Sequence, residues 1–416
     1  MENVSLFHNS LEGIFIERPN RYIVTVSLPD GRKIRAYCPN PGRLIELLIP
    51  GRRLILEERG SWQGNGKSHT GLSPQSADHR ENRKTRYTLV AAYYGREIVP
   101  LYSSRANFLA RELIIPALFA PYERLDPEVK LGKSRIDFLL TRRHSGKNEI
   151  HYIEVKACTL IEEEVAMFPD APTARGRKHL TELSTFPARA YETGIPNTTE
   201  GRPHVIFAIM NPSARRFIPN MHTDLEFARK MLEVRENVFF HAVTMKTDRN
   251  GFSRIFNPSI PIDWETAQNN STASGIYLLS VYLEKQREIS VGSLGKVSFK
   301  AGYYVYVGSA LNNMDKRITR HRRKRKVKNW HIDYLTGISD RIKDYPVRTS
   351  RRLECKLAGD ISSISKASVP GFGSSGCSCN SHLFYFSSNP EENESFLEVL
   401  FRYRHRLSFC DQVNLV

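Results

Sequence analysis

Two apolar segments each carry acidic or basic residues among hydrophobic neighbours: Ser134-Arg135-Ile136-Asp137-Phe138-Leu139-Leu140, then Tyr152-Ile153-Glu154-Val155-Lys156. Side chains two apart on a β-strand point the same way, so Glu154 and Lys156 share a face. A hairpin between the two segments would bring Asp137 beside them. Carboxylates near a core are costly unless paired or metal-bound. The fold is therefore limited to one in which strands converge on a charged site. Two carboxylates and a lysine suit metal-assisted phosphodiester cleavage. Asp137 and Glu154 would hold a hard divalent cation, Mg2+ or Mn2+, and Lys156 would orient or polarise the attacking water.

The chain has 416 residues and a formal net charge of +17. That length predicts two or three domains, and 40% hydrophobic residues suffice for packed cores. So large a positive excess attracts polyanions, with nucleic acid the expected partner, DNA ahead of RNA. No lipidation signal or amphipathic basic helix points to a membrane surface, and no run approaches a membrane span of about 18 apolar residues. Residues 1–10 show no secretion signal. The six cysteines (Cys38, Cys158, Cys355, Cys377, Cys379 and Cys410) are too irregularly spaced for a disulfide framework, which predicts a reducing, cytoplasmic location.

Residues 1–86 read as strands separated by turns such as Pro29-Asp30-Gly31, which predicts a small barrel, an OB-fold. Cys38 to Gly42 reads as a rigid loop and Ser61 to Asn82 as a long mobile one. Residues 87–257 mix strands with helices near 106–119, 174–193 and 223–233, the signature of an α/β domain. On the first of these helices Leu109, Leu113 and Ala117 make the expected core face. Residues 258–274 read as a linker, and a further module of α+β type begins at Gly275.

Glu112 on the predicted helix 106–119, then Glu128, Asp137, Glu154 and Lys156 on strands, follow an order that resembles the PD-(D/E)XK nuclease core. Each has a structural alternative, such as a solvated helix acid at Glu112 or a surface charge pair at Glu128. Residues 11–250 as a whole resemble the sugar fermentation stimulation protein family. The matching stretches are Cys38-Pro39-Asn40-Pro41-Gly42, Ser134 to Leu140, Tyr152 to Lys156, and Phe168-Pro169-Asp170-Ala171-Pro172-Thr173-Ala174-Arg175-Gly176-Arg177-Lys178-His179-Leu180. The resemblance implies an OB-fold followed by a PD-(D/E)XK-like domain, DNA binding, and a link to sugar-utilisation regulation. Arg175, Lys178 and His179 lie three and four apart on one helix face, where they would clamp a phosphate or transfer protons. The alternative to a nuclease is a non-catalytic DNA-binding regulator.

The last module contains Gly275-Ile276-Tyr277 and Tyr306-Val307-Gly308, with Arg317, His321 and Glu354 downstream. This set resembles the GIY-YIG endonuclease domain, and most closely a small GIY-YIG-related family that adds Trp330 to Leu335 and Gly371-Phe372-Gly373 followed by Cys377-Ser378-Cys379. The resemblance implies that Tyr277 and Tyr306 assist water activation, Arg317 stabilises the transition-state charge, and Glu354 holds a metal ion. Nine of the thirteen residues from Lys316 to Lys328 are Lys or Arg, with no acid among them. As a helix this run would be basic on nearly every face, so Arg320, His321, Arg322, Arg323, Lys324, Arg325 and Lys326 are expected to contact a nucleic-acid backbone. Cys377, Cys379, His382, His331 and Cys355 carry zinc-type donors, but their spacing favours ordinary reduced thiols.

Overall fold

In a computed structural model, residues 2–8, 10–58, 85–131, 134–144, 146–185 and 201–405 are described. The loop expected at Ser61–Asn82 and the end of the helix expected at 174–193 lie outside them. The chain divides into two compact units. The first comprises Met1–Asp170, Lys178–Phe217 and Val234–Ile262, and the second Ala171–Arg177, Ile218–Glu233 and Asp263–Val416.

The first unit begins with strands β1 (Ser10–Asn20), β2 (Ile23–Ser27), β3 (Lys33–Tyr37), β4 (Arg53–Glu58) and β5 (Tyr87–Tyr94). Val24, Val26, Leu54 and Leu56 alternate inward and are buried, the period-two pattern of a half-buried strand. Neighbours pair in the order β3-β2-β1-β4-β5, and β5 returns to pair in parallel with β3 at Ala36↔Tyr87. The five strands close into an OB-like barrel. The boundary expected at residue 86 therefore moves, because 87–94 supplies the closing strand.

β6 (Glu97–Pro100) carries the ladder onward to a mixed sheet built from β7 (Arg124–Leu131), β8 (Ser134–His144), β9 (Lys147–Cys158), β10 (Arg202–Ile209) and β11 (Phe239–Thr247). β7, β8 and β9 form an antiparallel meander, whereas β9, β10 and β11 run parallel. Helix α2 (Ala174–Leu183) precedes β10 in the chain, and α3 (Leu225–Val234) precedes β11. The helix expected at 106–119 forms as α1, with a π-helical turn at Ala110–Ile114 between α-helical ends. The wider turn shifts the phase of the buried face. Leu109, Leu113, Ile114 and Ile115 are buried, whereas Ala117 faces solvent.

Three histidines cross β9, β10 and β11. His151 Nδ1 lies 2.9 Å from His204 Nε2, and His204 Nδ1 lies 3.0 Å from His241 Nε2. Phe119 meets all three rings edge-on. Burial pushes His151 and His241 down to about 4 and His204 to about 2.

In the second unit the expected linker contains a helix, α4 (Trp264–Asn270), because the Asp263 carboxylate caps it through the Thr266 N–H at 2.9 Å. An antiparallel sheet follows, with β12 (Gly275–Leu283) between β13 (Gly302–Ala310) and β14 (Arg341–Arg348), and β15 (Leu383–Phe386) beyond β13. Its helices are α5 (Met314–Arg322), α6 (His331–Ile338), α7 (Glu354–Ile364) and α8 (Glu394–His405). His222 is buried within this unit: its Nδ1 accepts the Arg348 N–H at 2.9 Å, and its Nε2 meets the Arg404 carbonyl at 3.3 Å.

Candidate functional site

The β8–β9 register runs to Ile153↔Phe138, and Glu154 and Asp137 stand one step beyond it. Buried Ile136, Phe138, Ile153 and Val155 hold these strand ends in the core. Asp137 Oδ2 accepts the Val155 N–H at 2.8 Å, and Oδ1 accepts Asn107 Nδ2 at 3.0 Å. Burial and then the neighbouring Glu154 charge push the Asp137 carboxyl above its usual range. Glu154 is only 3% exposed. Its Oε1 meets Lys156 Nζ at 2.5 Å and also contacts His179 Nδ1. Burial alone would raise Glu154, but the His179 hydrogen bond and the Lys156 charge outweigh it and hold the carboxyl below its usual range. This donor set fits a hard cation. Two oxygen-bearing acids share one low-dielectric spot, and a divalent ion would relieve their repulsion.

In the second unit Tyr277 stands opposite Gly308, and Leu279 opposite Tyr306. A Cβ at Gly308 would sit 2.6 Å from the Tyr277 hydroxyl and 2.8 Å from the Tyr306 ring. Glycine at 308 is thus what allows both tyrosines onto this face. Tyr277 Oη lies 3.1 Å from His321 Nε2, and His321 Nδ1 lies 3.2 Å from Asp333 Oδ1. Asp333 also accepts Arg320 Nη1 at 3.0 Å and the N–H groups of Asn329 and Trp330 at 3.0 and 3.1 Å. Burial opposes ionisation at Asp333, but the bonds from His321, Asn329, Trp330 and Arg320 outweigh it and hold the carboxyl well below its usual range. Glu354 receives the Ser309 hydroxyl, and its Oε1 lies 3.3 Å from His382 Nδ1. Arg317 Nη1 donates to the Ser309 carbonyl at 2.7 Å. Burial pushes both the Tyr277 and Tyr306 hydroxyls well up.

Comparison with known proteins gives the family of the chain. A sugar fermentation stimulation protein homolog of Methanothermobacter thermautotrophicus is 35% identical over 249 residues, covering 59% of this chain and 90% of the relative. One from Thermoanaerobacter sp. is 37% identical over 243 residues, 57% of this chain and 91% of the relative. The chain belongs to the sugar fermentation stimulation protein family. The SfsA N-terminal OB domain matches residues 16–101, the sugar fermentation stimulation protein RE domain 104–251, and a domain of unknown function, DUF123, residues 276–405. The DUF123 portion is GIY-YIG-related. A solved structure titled as Pyrococcus furiosus SfsA in complex with Ca2+ has 25% identity and a TM-score of 0.48, covering 63% of this chain and 99% of that one.

Within the SfsA-matching segment the fold brings together Asp137, Glu154, Lys156 and His179. Glu112 lies on the π-helical turn with its carboxylate 3.6 Å from Arg111. Glu128 has a φ of 52° and an outward carboxylate, two-thirds exposed, that pairs with Arg135 at 3.2 Å. Neither residue bonds to the Asp137 cluster among the described contacts. The phosphate clamp expected on α2 is redistributed. His179 turns to Glu154, Lys178 pairs loosely with Glu182 at 3.6 Å, and Arg175 is exposed.

The basic run of the DUF123 portion also differs from expectation. The helix ends at Arg322, and acids from elsewhere enter the run. His321 is buried, so it serves Tyr277 and Asp333 and is withdrawn from any surface contact. Arg320 and Lys326 turn inward toward Asp333, and Arg322 pairs with Asp344. Arg323, Lys324 and Arg325 remain exposed, with Lys324 Nζ 3.4 Å from the Ser339 hydroxyl. Sequence reasoning missed Asn107, Ser309 and Asp333 as partners. For Asp333 the available signal was an acid at the third position of a helix just after the basic run, where carboxylates cap N–H groups.

Among the described residues no helix is long and apolar enough to cross a membrane.

Proposed function

We propose that this chain is a metal-dependent nuclease, acting on DNA in preference to RNA, with its principal site at Asp137, Glu154, Lys156 and His179. The observation that carries this reading is the pair of acids from adjacent strands, with Asp137 raised by burial and by Glu154. The meander of β7, β8 and β9 followed by parallel β10 supports a PD-(D/E)XK-like arrangement. The OB-like barrel and the net charge of +17 support a nucleic-acid substrate.

Asp137 and Glu154 would hold Mg2+ or Mn2+. Bound there, the cation supplies Lewis-acid polarisation of the phosphate and a more acidic water. Hydrolysis adds a water oxygen to phosphorus and expels one ester oxygen, so the water gives up a proton and the leaving oxygen gains one. Lys156 orients the attacking water, and His179 fixes the orientation of the Glu154 carboxylate through its contact with Oε1. Tyr277, Tyr306, Arg317 and Glu354 form the corresponding GIY-YIG-like site, in which Glu354 would hold a metal ion. There His321 orients the Tyr277 hydroxyl, and the exposed Arg323, Lys324 and Arg325 meet the backbone phosphates.

The test is incubation of the purified chain with single-stranded, duplex and branched DNA and with RNA, in Mg2+, Mn2+ or chelator. Metal-dependent cleavage is expected, reduced about a thousandfold or more by Asp137→Ala. Retardation without cleavage under either metal would replace the nuclease with a DNA-binding regulator.

A further inference from the structure

Cys355, Cys377, Cys379 and His382 come together in the second unit, with one donor atom from each within 4.8 Å of the others. They come from separate elements: Cys355 lies in the first turn of α7, while the other three lie on the loop leading into β15. We propose that these four residues bind one structural Zn2+ ion, which pins the start of α7 to that loop and orients Glu354 through His382.

The distances fit. Tetrahedral zinc, with bonds of about 2.3 Å to sulfur and 2.0 Å to nitrogen, places sulfur and nitrogen ligands about 3.5 Å apart and two sulfurs about 3.8 Å apart. Cys377 Sγ lies 3.4 Å from His382 Nε2. The other imidazole nitrogen, Nδ1, lies 3.3 Å from both Glu354 Oε1 and the Val307 carbonyl. Metal-binding histidines characteristically direct their second nitrogen to a carboxylate or carbonyl in this way, which fixes the tautomer and ring angle. His382 is buried while Cys355 is exposed, so an ion has a route in.

The donor set selects the metal class. Three thiolates and one imidazole are soft to borderline ligands, and four protein ligands close the coordination shell. Such a site holds structure and leaves no position for substrate. A disulfide would use only two of the three sulfurs and would leave His382 Nε2 facing a single thiol.

The experiment measures metal content in the reduced full-length chain after incubation with Zn2+ and removal of excess. About one zinc per chain is expected. Replacement by Co2+ should give a thiolate-to-cobalt charge-transfer band and the visible bands of tetrahedral cobalt. Cys377→Ser and Cys379→Ser should lose the ion, and Glu354→Gln should weaken zinc affinity about 10- to 100-fold while retaining the cobalt spectrum. Failure of the intact chain to retain zinc overturns the proposal, as does a cobalt spectrum without thiolate ligation or unchanged binding in both serine variants. The cobalt spectrum of the unmutated chain decides the matter even if the variants misfold. These readouts involve no cleavage, so they are independent of the nuclease assay.

Discussion

At Asp137, burial and then the neighbouring Glu154 charge push the carboxyl up, while Glu154 on the adjoining strand is itself held down by His179 and Lys156. At Asp333, one acid is surrounded by Arg320, His321 and Lys326, and its carboxyl is held well down. In the first region Lys156 and His179 bond to Glu154 while Asp137 is held by neutral donors, whereas in the second the basic side chains converge on a single acid. A buried acid held by neutral donors invites an ion from solution. A buried acid already ringed by cations acts as a fixed anchor, and here it sets the ring of His321 against Tyr277. The contrast separates a place for chemistry from a place that organises its neighbours.

The sharpest way to break this contrast is the pair Asp137→Ala and Tyr306→Phe, compared on one DNA substrate. Asp137→Ala should remove about a thousandfold or more of the principal Mg2+-dependent activity, and Tyr306→Phe should leave most of it. An equal loss from Tyr306→Phe would put the principal activity in the other unit. Next in size is stability. Asp333→Ala strands buried cations and should cost the second unit about 3–5 kcal/mol in denaturant unfolding. Asp137→Asn relieves a repulsion and should change metal-free stability by less than about 1 kcal/mol. Equal costs would show that the two acids are not opposites. Gly308→Ala drives a methyl against Tyr277 and Tyr306 and should cost about 1–3 kcal/mol. Thermal unfolding unchanged by that substitution would mean the tyrosines have room to retreat.

The last comparison concerns acid. His151 and His241 titrate near 4 and His204 near 2 when folded, against 6.5 ordinarily. The unfolded chain therefore takes up protons first as the pH falls. The stabilisation is fully present above about 6.5 and is lost as pH falls toward 4, by at most about 1.4 kcal/mol per pH unit for each histidine that stays neutral. His241→Gln should flatten the fall in urea midpoint between pH 7 and 5, and an identical slope would show that other groups govern it.

Asp137, Glu154 and Lys156 were legible because strand periodicity is local, and the acids lie among residues that must be buried. The closing strand of the barrel was read as part of the next domain, because its pairing with β3 is not local. Ala117 was placed in the core because a regular helix was assumed, and the π-helical turn altered the phase. The basic run was counted within its own thirteen residues, which concealed Asp333 and Asp344, acids that the fold delivers from farther along the chain. Cys355, Cys377, Cys379 and His382 were grouped as donors in the sequence together with His331, but their irregular spacing argued for free thiols, whereas the fold gathers those four within 4.8 Å. The histidine row depends on three strands aligning in space, and no spacing along the chain announces it.

Ile98 pairs with Tyr93 on one side and Thr247 on the other. Through this residue the ladder of the barrel passes into the sheet that carries Asp137 and Glu154. A swing of one against the other would have to tear main-chain hydrogen bonds. The barrel and the carboxylates are thus tied through one continuous hydrogen-bonded ladder. In the proposed nuclease, a polynucleotide held at the barrel would meet the carboxylates through this ladder, and the pattern of its fragments would record the span between them.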